Sequence, residues 1–208
     1  MVRRATGGRS RRRLTPPTLV LAWGSPGPTV DGPVASAAMR PGQPHAPEQL
    51  ADIEAICRLK YAYARCVDTK DWDELASLLT EDCVASYSAG KYHHEGRDDI
   101  MAWLSSSMAS EHFLSSHKMH HPEIELTGPD TATGTWALED VVVEAEWKII
   151  IRGAAFYTDD YVKRDGCWYI ARTAYKRVFE TLEPWTDSPG MTLTASWWGT
   201  GGQSTIDA

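Results

Sequence analysis

The second half of the chain consists of four long runs that predict β-strands. Residues 117–126, 132–146, 148–164 and 167–182 are rich in β-branched and aromatic residues, and short turn signals separate them. One turn is "TGPD", and another is Asp165–Gly166, a strong signal for a two-residue hairpin loop. Strands joined by such short turns pair antiparallel, because a parallel crossover needs about a dozen residues or more. The chain is therefore constrained to form a long antiparallel meander.

Three stretches that predict helices precede these strands. The first carries apolar residues at spacings of three and four, which predicts a buried stripe on a helix of about five turns. These residues are Leu50, Ile53, Ile56, Leu59, Tyr63 and Cys66. "DWDELASLL" starts the second helix with a capping-box pattern at Asp71 and Glu74, and its expected buried side is Trp72, Leu75, Leu78 and Leu79. "CVASYSAGKYHHEG" predicts a hairpin turning at Ala89–Gly90, and "RDDIMAWLSSSM" predicts the third helix.

Helices followed by a long meander predict an α+β fold. We expect three N-terminal helices to pack on a curved, mostly antiparallel sheet that forms a cone-shaped half-barrel with an apolar interior. Residues 47–184 would form this domain. Residues 1–46 are rich in Arg, Pro, Gly and Ala without apolar periodicity, and predict a disordered arm. Residues 185–208 predict a flexible tail.

The arm has two other interpretations. Its translation could start at Met39, or "SRRRLT" followed by "ASA" could belong to a twin-arginine export signal. The apolar run "LVLAW" is shorter than the ~7–15 residues of such a signal, so disorder or a later start is favoured.

Charge and cysteine usage exclude several classes of function. The net charge is −7, and residues 1–45 carry seven Arg and one Asp, so the remainder sums to −13. An acidic domain argues against nucleic-acid binding, which needs a basic surface. No run approaches the ~20 apolar residues of a membrane span. The four cysteines form no CxxC pair, which indicates reduced thiols and a cytoplasmic protein.

The stretch "SSHKMHHPEI" places His117, His120 and His121 close together and raises the question of a metal site. On a strand His117 and His121 share one face but lie ~13 Å apart, and His120 points to the other face. A zinc site needs three or four ligands at about 2.0–2.2 Å. His93 and His94 add no recognisable spacing. We therefore predict neither a metal nor a cofactor, and expect His120 and His121 to be packing or rim residues.

Several segments of the sequence resemble a known family. "DIEAICRLKYAYARCVDTKDWDEL", "HKMHHPEIEL", "TATGTWALED" and "GAAFYTDDYVKRDGCWYI" are similar, segment by segment, to bile acid 7-alpha-dehydratases. These belong to the SnoaL-like branch of the nuclear transport factor 2-like (NTF2-like) superfamily. The resemblance runs from about Asp52 to Glu180. It implies the same cone-shaped fold and a homotrimer or another homo-oligomer.

The resemblance also implies a reaction, the elimination of water from a hydroxylated 3-oxo-Δ4 steroid-like substrate, either free or as a coenzyme A thioester. Such an enzyme would be a metal-free hydro-lyase without a cofactor. The alternatives are a steroid isomerase or hydratase of the same fold, and a non-catalytic binding or scaffold module, because fold alone does not determine activity.

Carried over residue by residue, the family's catalytic residues correspond to Tyr63, Asp68, His117, Asp140 and Arg177. His117 would act as base and proton donor, oriented by Asp140, while Tyr63 would bind the ketone oxygen. Asp68 would position neighbouring donors, and Arg177 would bind the leaving oxygen or a polar substrate group. We expect Tyr175, Trp136 and Phe156 to bind the substrate.

Strand pairing tests whether His117 and Asp140 can meet. A hairpin turning at Gly128–Asp130 pairs residues whose numbers sum to ~258, which puts His117 opposite residue ~141. Asp140 is then one position out of phase. Pro122 cannot donate to a strand ladder and often marks a bulge, and one bulge would restore the phase.

Overall fold

The computed structural model describes residues 42–185 and 190–206. A short 3-10 turn at Pro47–Gln49 leads into three helices. They are α1 (Leu50–Thr69), α2 (Trp72–Ser77) and α3 (Arg97–Met108). Among the described residues, no helix is both long and apolar enough to cross a membrane. Most of the predicted N-terminal arm, up to residue 41, lies outside the described residues.

Helix α1 follows the predicted apolar stripe. Ile56, Leu59, Tyr63 and Cys66 are all buried against the sheet. The helix ends at Lys70, which adopts a left-handed conformation with φ 56°. Its backbone N–H donates to backbone carbonyls of the last helical turn. The apolar spacing therefore predicted the helix and most of its buried side, but Leu50, the first residue of the predicted stripe, is exposed.

Helix α2 begins as predicted but ends early. The Asp71 side chain accepts a hydrogen bond of 3.1 Å from the backbone N–H of Glu74. Leu78 and Leu79 do not continue the helix, contrary to the expectation. The Leu78 carbonyl accepts a hydrogen bond of 2.9 Å from Ile170 N–H, and Leu79 opens the first strand. Pairing with a strand from the far end of the chain thus overrides the local helical pattern.

Six strands form one curved sheet. They are β1 (Leu79–Tyr87), β2 (Tyr92–Glu95), β3 (Phe113–Gly128), β4 (Thr131–Glu144), β5 (Ile149–Arg164) and β6 (Cys167–Pro184). Their order across the sheet is β2-β1-β6-β5-β4-β3. Neighbours pair antiparallel except β1 and β6, which are parallel. The sheet is unclosed, with β2 and β3 at its edges, and it confirms the predicted α+β half-barrel with its N-terminal helices.

A bulge in β3 brings His117 opposite Asp140. Glu123 pairs with Thr135, but His120 pairs with Ala137, so His121 and Pro122 together oppose one residue of β4. His121 has φ 48°, which fits such an irregularity. The bulge inferred from Pro122 is confirmed. His117 and Asp140 are cross-strand neighbours whose side chains both point into the cone.

The core contains a buried ion pair that the sequence analysis did not anticipate. Lys60 and Asp159 have fully buried side chains, and Lys60 Nζ lies 2.7 Å from Asp159 Oδ2. Tyr161 OH donates to the same carboxylate at 2.8 Å, and Trp136 Nε1 donates to Tyr161 OH at 2.9 Å. Burial lowers the pKa of Lys60 although Asp159 opposes this. The attraction between the two groups offsets part of the cost of burying them, but Lys60 Nζ and Asp159 Oδ1 have no hydrogen-bond partner within the described residues.

The C-terminal segment returns to the end of α1. Lys70 Nζ lies 4.7 Å from the centre of the Trp198 ring. Within the segment, Thr205 N–H donates to the Thr194 carbonyl at 2.8 Å. Residues 190–206 therefore make contacts with the domain, whereas the flexibility predicted for residues 185–208 stays a prediction.

Candidate active site

A cavity of about 330 Å³ opens between α1, α3 and the concave face of the sheet. Its volume lies at the lower end of the range of small-molecule pockets, roughly 300–1,000 Å³. Its walls are mostly aromatic and aliphatic, with a few polar side chains. The lining residues that matter for the chemistry are Tyr63, Tyr87, Trp103, His117, Asp140, Tyr157, Tyr175, Arg177 and Glu180. Four of the five predicted catalytic residues thus line one cavity, and the fifth, Asp68, lies directly behind His117.

His117 is held by Asp68. Its ring nitrogen Nδ1 lies 2.6 Å from Asp68 Oδ1, and its backbone N–H donates to Asp68 Oδ2 at 2.8 Å. Ser115 Oγ donates to Asp68 Oδ1 at 2.8 Å. Strand β3 is an edge strand, so its outward N–H groups are free to meet a carboxylate from the last turn of α1. Asp68 therefore fixes both the backbone and the ring of His117.

This arrangement sets the tautomer of His117. A carboxylate oxygen only accepts hydrogen bonds, so Nδ1 carries the proton and donates it to Asp68. Nε2, on the opposite side of the ring, then holds the free lone pair of the neutral imidazole. The His117 side chain is 14% exposed and lines the cavity. His117 is thus arranged as a base with respect to a cavity ligand.

Asp140 does not orient His117, contrary to the sequence-based expectation. Its two oxygens accept from the guanidinium of Arg177, Oδ2 from Nη2 at 3.0 Å and Oδ1 from Nη1. Burial alone would lower the pKa of Arg177, but the hydrogen bonds and charge of Asp140 raise it instead. The bidentate pair occupies the carboxylate, and Asp68 takes the orienting role that had been assigned to Asp140.

The Asp140–Arg177 pair depends on a glycine in the neighbouring strand. A Cβ atom at Gly153 would lie 2.6 Å from Arg177 Nη1 and 3.1 Å from Asp140 Oδ1. Those distances are shorter than ordinary van der Waals contacts, so any larger residue would push into the pair. Gly153 provides the space in which the two side chains meet.

A second carboxylate and an aromatic ring flank Arg177. Its Nε lies 3.1 Å from Glu180 Oε2, and its guanidinium carbon lies 5.2 Å from the centre of the Tyr175 ring. Glu180 and Tyr175 also line the cavity. The guanidinium is therefore a charge-compensated part of the wall. Its Nε makes no hydrogen bond within the described residues, and the role of Arg177 toward the leaving oxygen or a polar substrate group stays a prediction.

Tyr63 contributes a buried hydroxyl on the same cavity. Its OH lies 2.8 Å from the OH of Tyr87, at the end of β1. Burial, followed by the charges of neighbouring tyrosines, raises the pKa of Tyr63 well above its usual value. The phenol thus remains protonated and available as a donor at neutral pH.

Of the three predicted substrate-binding residues, only Tyr175 lines the cavity. Trp136 is fully buried but does not line it, because Trp136 packs in the core and donates to Tyr161. Phe156 is 51% exposed on the outer face of β5. Its neighbour Tyr157 lies on the inner face and lines the cavity. The structure therefore places Tyr175 at the cavity and Trp136 and Phe156 away from it, and a role in substrate binding stays a prediction.

The remaining histidines do not converge. His120 and His121 are exposed, and His94 Nδ1 lies 3.0 Å from Asp99 in a separate region of the sheet. In the described part of the chain, no three His, Cys, Asp or Glu side chains form a group that could hold a metal ion. His120 and His121 do not line the cavity, and their role as packing or rim residues stays a prediction.

Sequence reasoning missed several residues of this site, among them Tyr87, Gly153 and Glu180. Tyr87 had a usable signal, because Cys83, Ala85 and Tyr87 alternate along β1 and are all buried. Gly153 had none, since its importance depends on its contact with Arg177 on the neighbouring strand. Glu180 had none either, because residues three apart on a regular strand point to opposite faces, yet Glu180 meets Arg177 on the same strand.

Several solved structures share this fold. A Novosphingobium aromaticivorans protein provisionally named a scytalone dehydratase matches with a TM-score of 0.60 and 22% identity over 70% of this chain and 97% of that one. LinA-type3, a hexachlorocyclohexane dehydrochlorinase from Novosphingobium barchaimii, matches with a TM-score of 0.61 and 20% identity over 70% and 96%. ActVI-ORFA from Streptomyces coelicolor matches with a TM-score of 0.54 and 17% identity over 62% and 98%. At these identities the matches establish the fold alone.

A family model supplies the assignment that the solved structures do not. The model of the SnoaL-like domain matches residues 48–174, which span α1 to the middle of β6 and include His117, Asp68 and Asp140. The fold and this match confirm the SnoaL-like assignment, whereas the closer resemblance to bile acid 7-alpha-dehydratases stays a prediction. The chain belongs to the SnoaL-like domain family.

Proposed function

We propose that the protein is a metal-free dehydratase that eliminates water from a hydroxylated 3-oxo-Δ4 steroid-like ring system. The observation that carries this proposal is the His117–Asp68 pair at the wall of an apolar cavity. Elimination from such a ring needs a base for an acidic C–H, a proton donor for the departing hydroxyl and a donor for the enolate oxygen. The cavity supplies candidates for all three tasks.

The proton transfers follow from the tautomer of His117. Nε2 takes a proton from a ring carbon made acidic by conjugation to the ketone, and the C–H electron pair moves into a dienolate. The imidazolium formed is stabilised by Asp68 through Nδ1. As the C–O bond breaks, Nε2 returns its proton to the leaving oxygen, and water and the conjugated dienone result. The proton count balances without another reactant.

Tyr63 is proposed to bind the ketone oxygen. Because burial raises the pKa of Tyr63, its phenol donates a hydrogen bond to the ketone and to the more basic dienolate oxygen alike. The Asp140–Arg177 pair is proposed to shape the wall beside His117. A guanidinium compensated by two carboxylates adds dipoles to that wall and little free charge.

Cavity size and lining support a flat apolar ligand. A cavity of about 330 Å³ with tyrosine and tryptophan walls suits a fused ring system. A coenzyme A group would have to remain outside it. The names of two structural neighbours, a dehydratase and a dehydrochlorinase, denote elimination reactions, which is consistent with the proposed reaction class.

The test is a screen of hydroxylated 3-oxo-Δ4 steroids, free and as thioesters. We expect new long-wavelength absorbance from the extended conjugation, together with the mass loss of one water, and neither with His117→Ala. A changed spectrum without a change in mass would indicate an isomerase. Tight binding of the whole panel without any conversion would instead indicate a non-catalytic binding module.

A further inference from the structure

Three charged side chains form a row from the depth of the cavity to its mouth. Asp140, Arg177 and Glu180 all line the cavity, and their side chains are 1%, 20% and 52% exposed. Arg177 donates to Asp140 on one side, and its Nε lies 3.1 Å from Glu180 Oε2 on the other. Glu180 is thus the charged group at the mouth end of the row.

A bulge in β6 turns Glu180 toward the cavity. The register of β6 against β5 shifts between Arg177 and Phe179, so Val178 is the extra residue of a bulge. On a regular strand, residues three apart point to opposite faces. The extra residue instead brings Arg177 and Glu180 to the same face, and both line the cavity.

The mouth end of the cavity wall carries more negative than positive charge. Among the described residues that line the cavity, Arg177 is the single Lys or Arg, and it lies between two carboxylates. One guanidinium and two carboxylates sum to a charge of −1. Tyr92 and, to a smaller extent, Glu180 raise the pKa of Lys91 in the turn between β1 and β2. Lys91 is exposed and does not line the cavity, so water and salt screen its charge.

Glu180 keeps one oxygen available for a ligand. Its contact with Arg177 runs through Oε2, and within residues 42–185 and 190–206 no hydrogen bond engages Oε1. A carboxylate oxygen only accepts hydrogen bonds, so Oε1 suits a ligand hydroxyl. An anionic group of a ligand would find no donor on Oε1 and would meet a like charge.

The other end of the cavity is lined by uncharged tyrosines. Tyr175 and Tyr157 are cross-strand partners with 5.3 Å between ring centres, and Tyr63 lies edge-on to Tyr157 at 6.4 Å. Glu180 pairs with Gly153, which lies four residues along β5 from Tyr157, a distance of roughly 13 Å. The cavity therefore has a donor end at Tyr63, where the ketone is proposed to bind, and an acceptor end at Glu180.

We propose that Glu180 is a specificity-determining residue that accepts a hydrogen bond from a hydroxyl at the end of the substrate remote from the ketone. Its charge excludes anionic groups from the same position. The preferred substrate is an uncharged ring system with a ketone at one end and, besides the hydroxyl that leaves, a second hydroxyl at the other. The inference rests on the proposed function, since it names a further polar group of the substrate for the same site.

The test compares the binding of three steroids that share the 3-oxo-Δ4 ring and differ at carbon 17. They are testosterone with a hydroxyl, androst-4-en-3-one with hydrogen only, and 3-oxoandrost-4-ene-17β-carboxylic acid with a carboxylate. None carries a hydroxyl that the proposed reaction could eliminate, so calorimetry reports binding alone. The full chain should bind the alcohol roughly 3- to 10-fold more tightly than the unsubstituted steroid. It should bind the carboxylate roughly 5- to 50-fold more weakly than the unsubstituted steroid, and added salt should narrow this second ratio.

Glu180→Gln keeps the size of the side chain and one acceptor oxygen but removes the charge. It should raise the affinity for the carboxylate steroid roughly 5- to 50-fold, in part because Arg177 then becomes available to that group. The affinity for the alcohol should fall by less than about tenfold. Glu183→Gln is the matched control, because it removes the same charge from β6 at a residue that pairs with Arg152 and does not line the cavity. It should leave all three affinities unchanged.

Charge reversal provides a second variant. Glu180→Lys should bind the carboxylate steroid more tightly than the alcohol, an inversion that a merely structural role of Glu180 would not produce. If neither variant folds, the wild-type order of affinities and its salt dependence decide. A carboxylate bound as tightly as the alcohol by the wild type would overturn the proposal.

The outcomes distinguish this inference from the proposed reaction, since binding requires no turnover. The expected order of affinities, without water loss from any hydroxylated 3-oxo-Δ4 steroid, would support the role of Glu180 and reject the dehydratase. Water loss together with equal binding of alcohol and carboxylate would do the reverse. An unchanged carboxylate affinity in Glu180→Gln, an equal change in Glu183→Gln, or failure of all three steroids to bind would also overturn the inference.

Discussion

Replacing Asp68 with asparagine should disable His117 while leaving the shape of the site intact. The Asp68 carboxylate accepts from Ser115 Oγ and His117 Nδ1 on one oxygen and from His117 N–H on the other. An asparagine has only one acceptor oxygen, so one side of this arrangement must face an NH₂ group. If the NH₂ faces Nδ1, the imidazole must carry its proton on Nε2 and has no lone pair for the substrate.

The other orientation of the asparagine is also unfavourable. Its NH₂ would then face the backbone N–H of His117, so two donors would oppose each other in a partly buried site. In either orientation the charge that stabilises the imidazolium is gone. We therefore expect Asp68→Asn to lower kcat by roughly 10²–10⁴-fold, the range typical of a lost general base or of a triad whose histidine has the wrong tautomer.

The assay is turnover of the best steroid from the screen, with thermal melting measured in parallel. Nitrogen-15 spectra of labelled histidine should show the proton on Nδ1 in the wild type. They should show it on Nε2 in a folded Asp68→Asn variant whose NH₂ group faces Nδ1. Ser115→Ala is the matched control, because it removes one hydrogen bond to the carboxylate and keeps its charge. It should cost less than about tenfold in kcat.

Double variants show which carboxylate serves His117. Asp68→Asn combined with His117→Ala should be little worse than His117→Ala alone, because both changes disable one unit. The reasoning would be refuted if a folded Asp68→Asn variant kept near-wild-type turnover. It would also be refuted if Asp140→Asn, and not Asp68→Asn, altered the tautomer of His117.

Three further predictions concern stability and metal dependence. Gly153→Ala should destabilise the fold by roughly 1–3 kcal/mol in chemical denaturation, because the new Cβ overlaps Arg177, whereas Ala154→Val on the outer side of β5 should not. Burial raises the pKa of Tyr63 and Tyr87 above the unfolded value of about 10, so their contribution to stability is intact below that pH and is lost as pH rises through the folded pKa. The free energy of unfolding should fall by about 1.4 kcal/mol per pH unit for each tyrosine. Denaturation series from pH 9 to 12 should show a smaller fall in Tyr63→Phe. Prolonged EDTA treatment should leave turnover intact, and zinc-restored activity would contradict this.

Periodicity predicted the architecture because long elements repeat their signal many times. The stripe of α1 and the alternation in β3 to β6 each extend over many residues, and their ends agree with the structure within a few positions. Helix α2 has only six residues, and one strand contact from β6 was enough to end it. Short elements are where tertiary contacts decide the outcome.

The errors at the site have a different origin. The strand sequence "AAFYTDDY" carries large residues on both faces, so a period of two cannot say whether Phe156 or Tyr157 points inward. Trp136 shares the inner face of β4 with Asp140, but it lies four residues along the strand from Asp140, a distance of roughly 13 Å. Alternation identifies a face and says nothing about depth along the cone.

Acceptor capacity explains why the two carboxylates divide their tasks as they do. The β3 bulge makes Asp140 and His117 cross-strand neighbours, and this register alone suggests that they bond. Yet Arg177 approaches Asp140 from β6 with two parallel donors, while Asp68 reaches the free edge of β3 from α1 and meets three donors there. Each carboxylate therefore accepts hydrogen bonds from the donors nearest to it, Asp140 from Arg177 and Asp68 from β3. A substitution of either aspartate should leave the hydrogen bonds of the other in place.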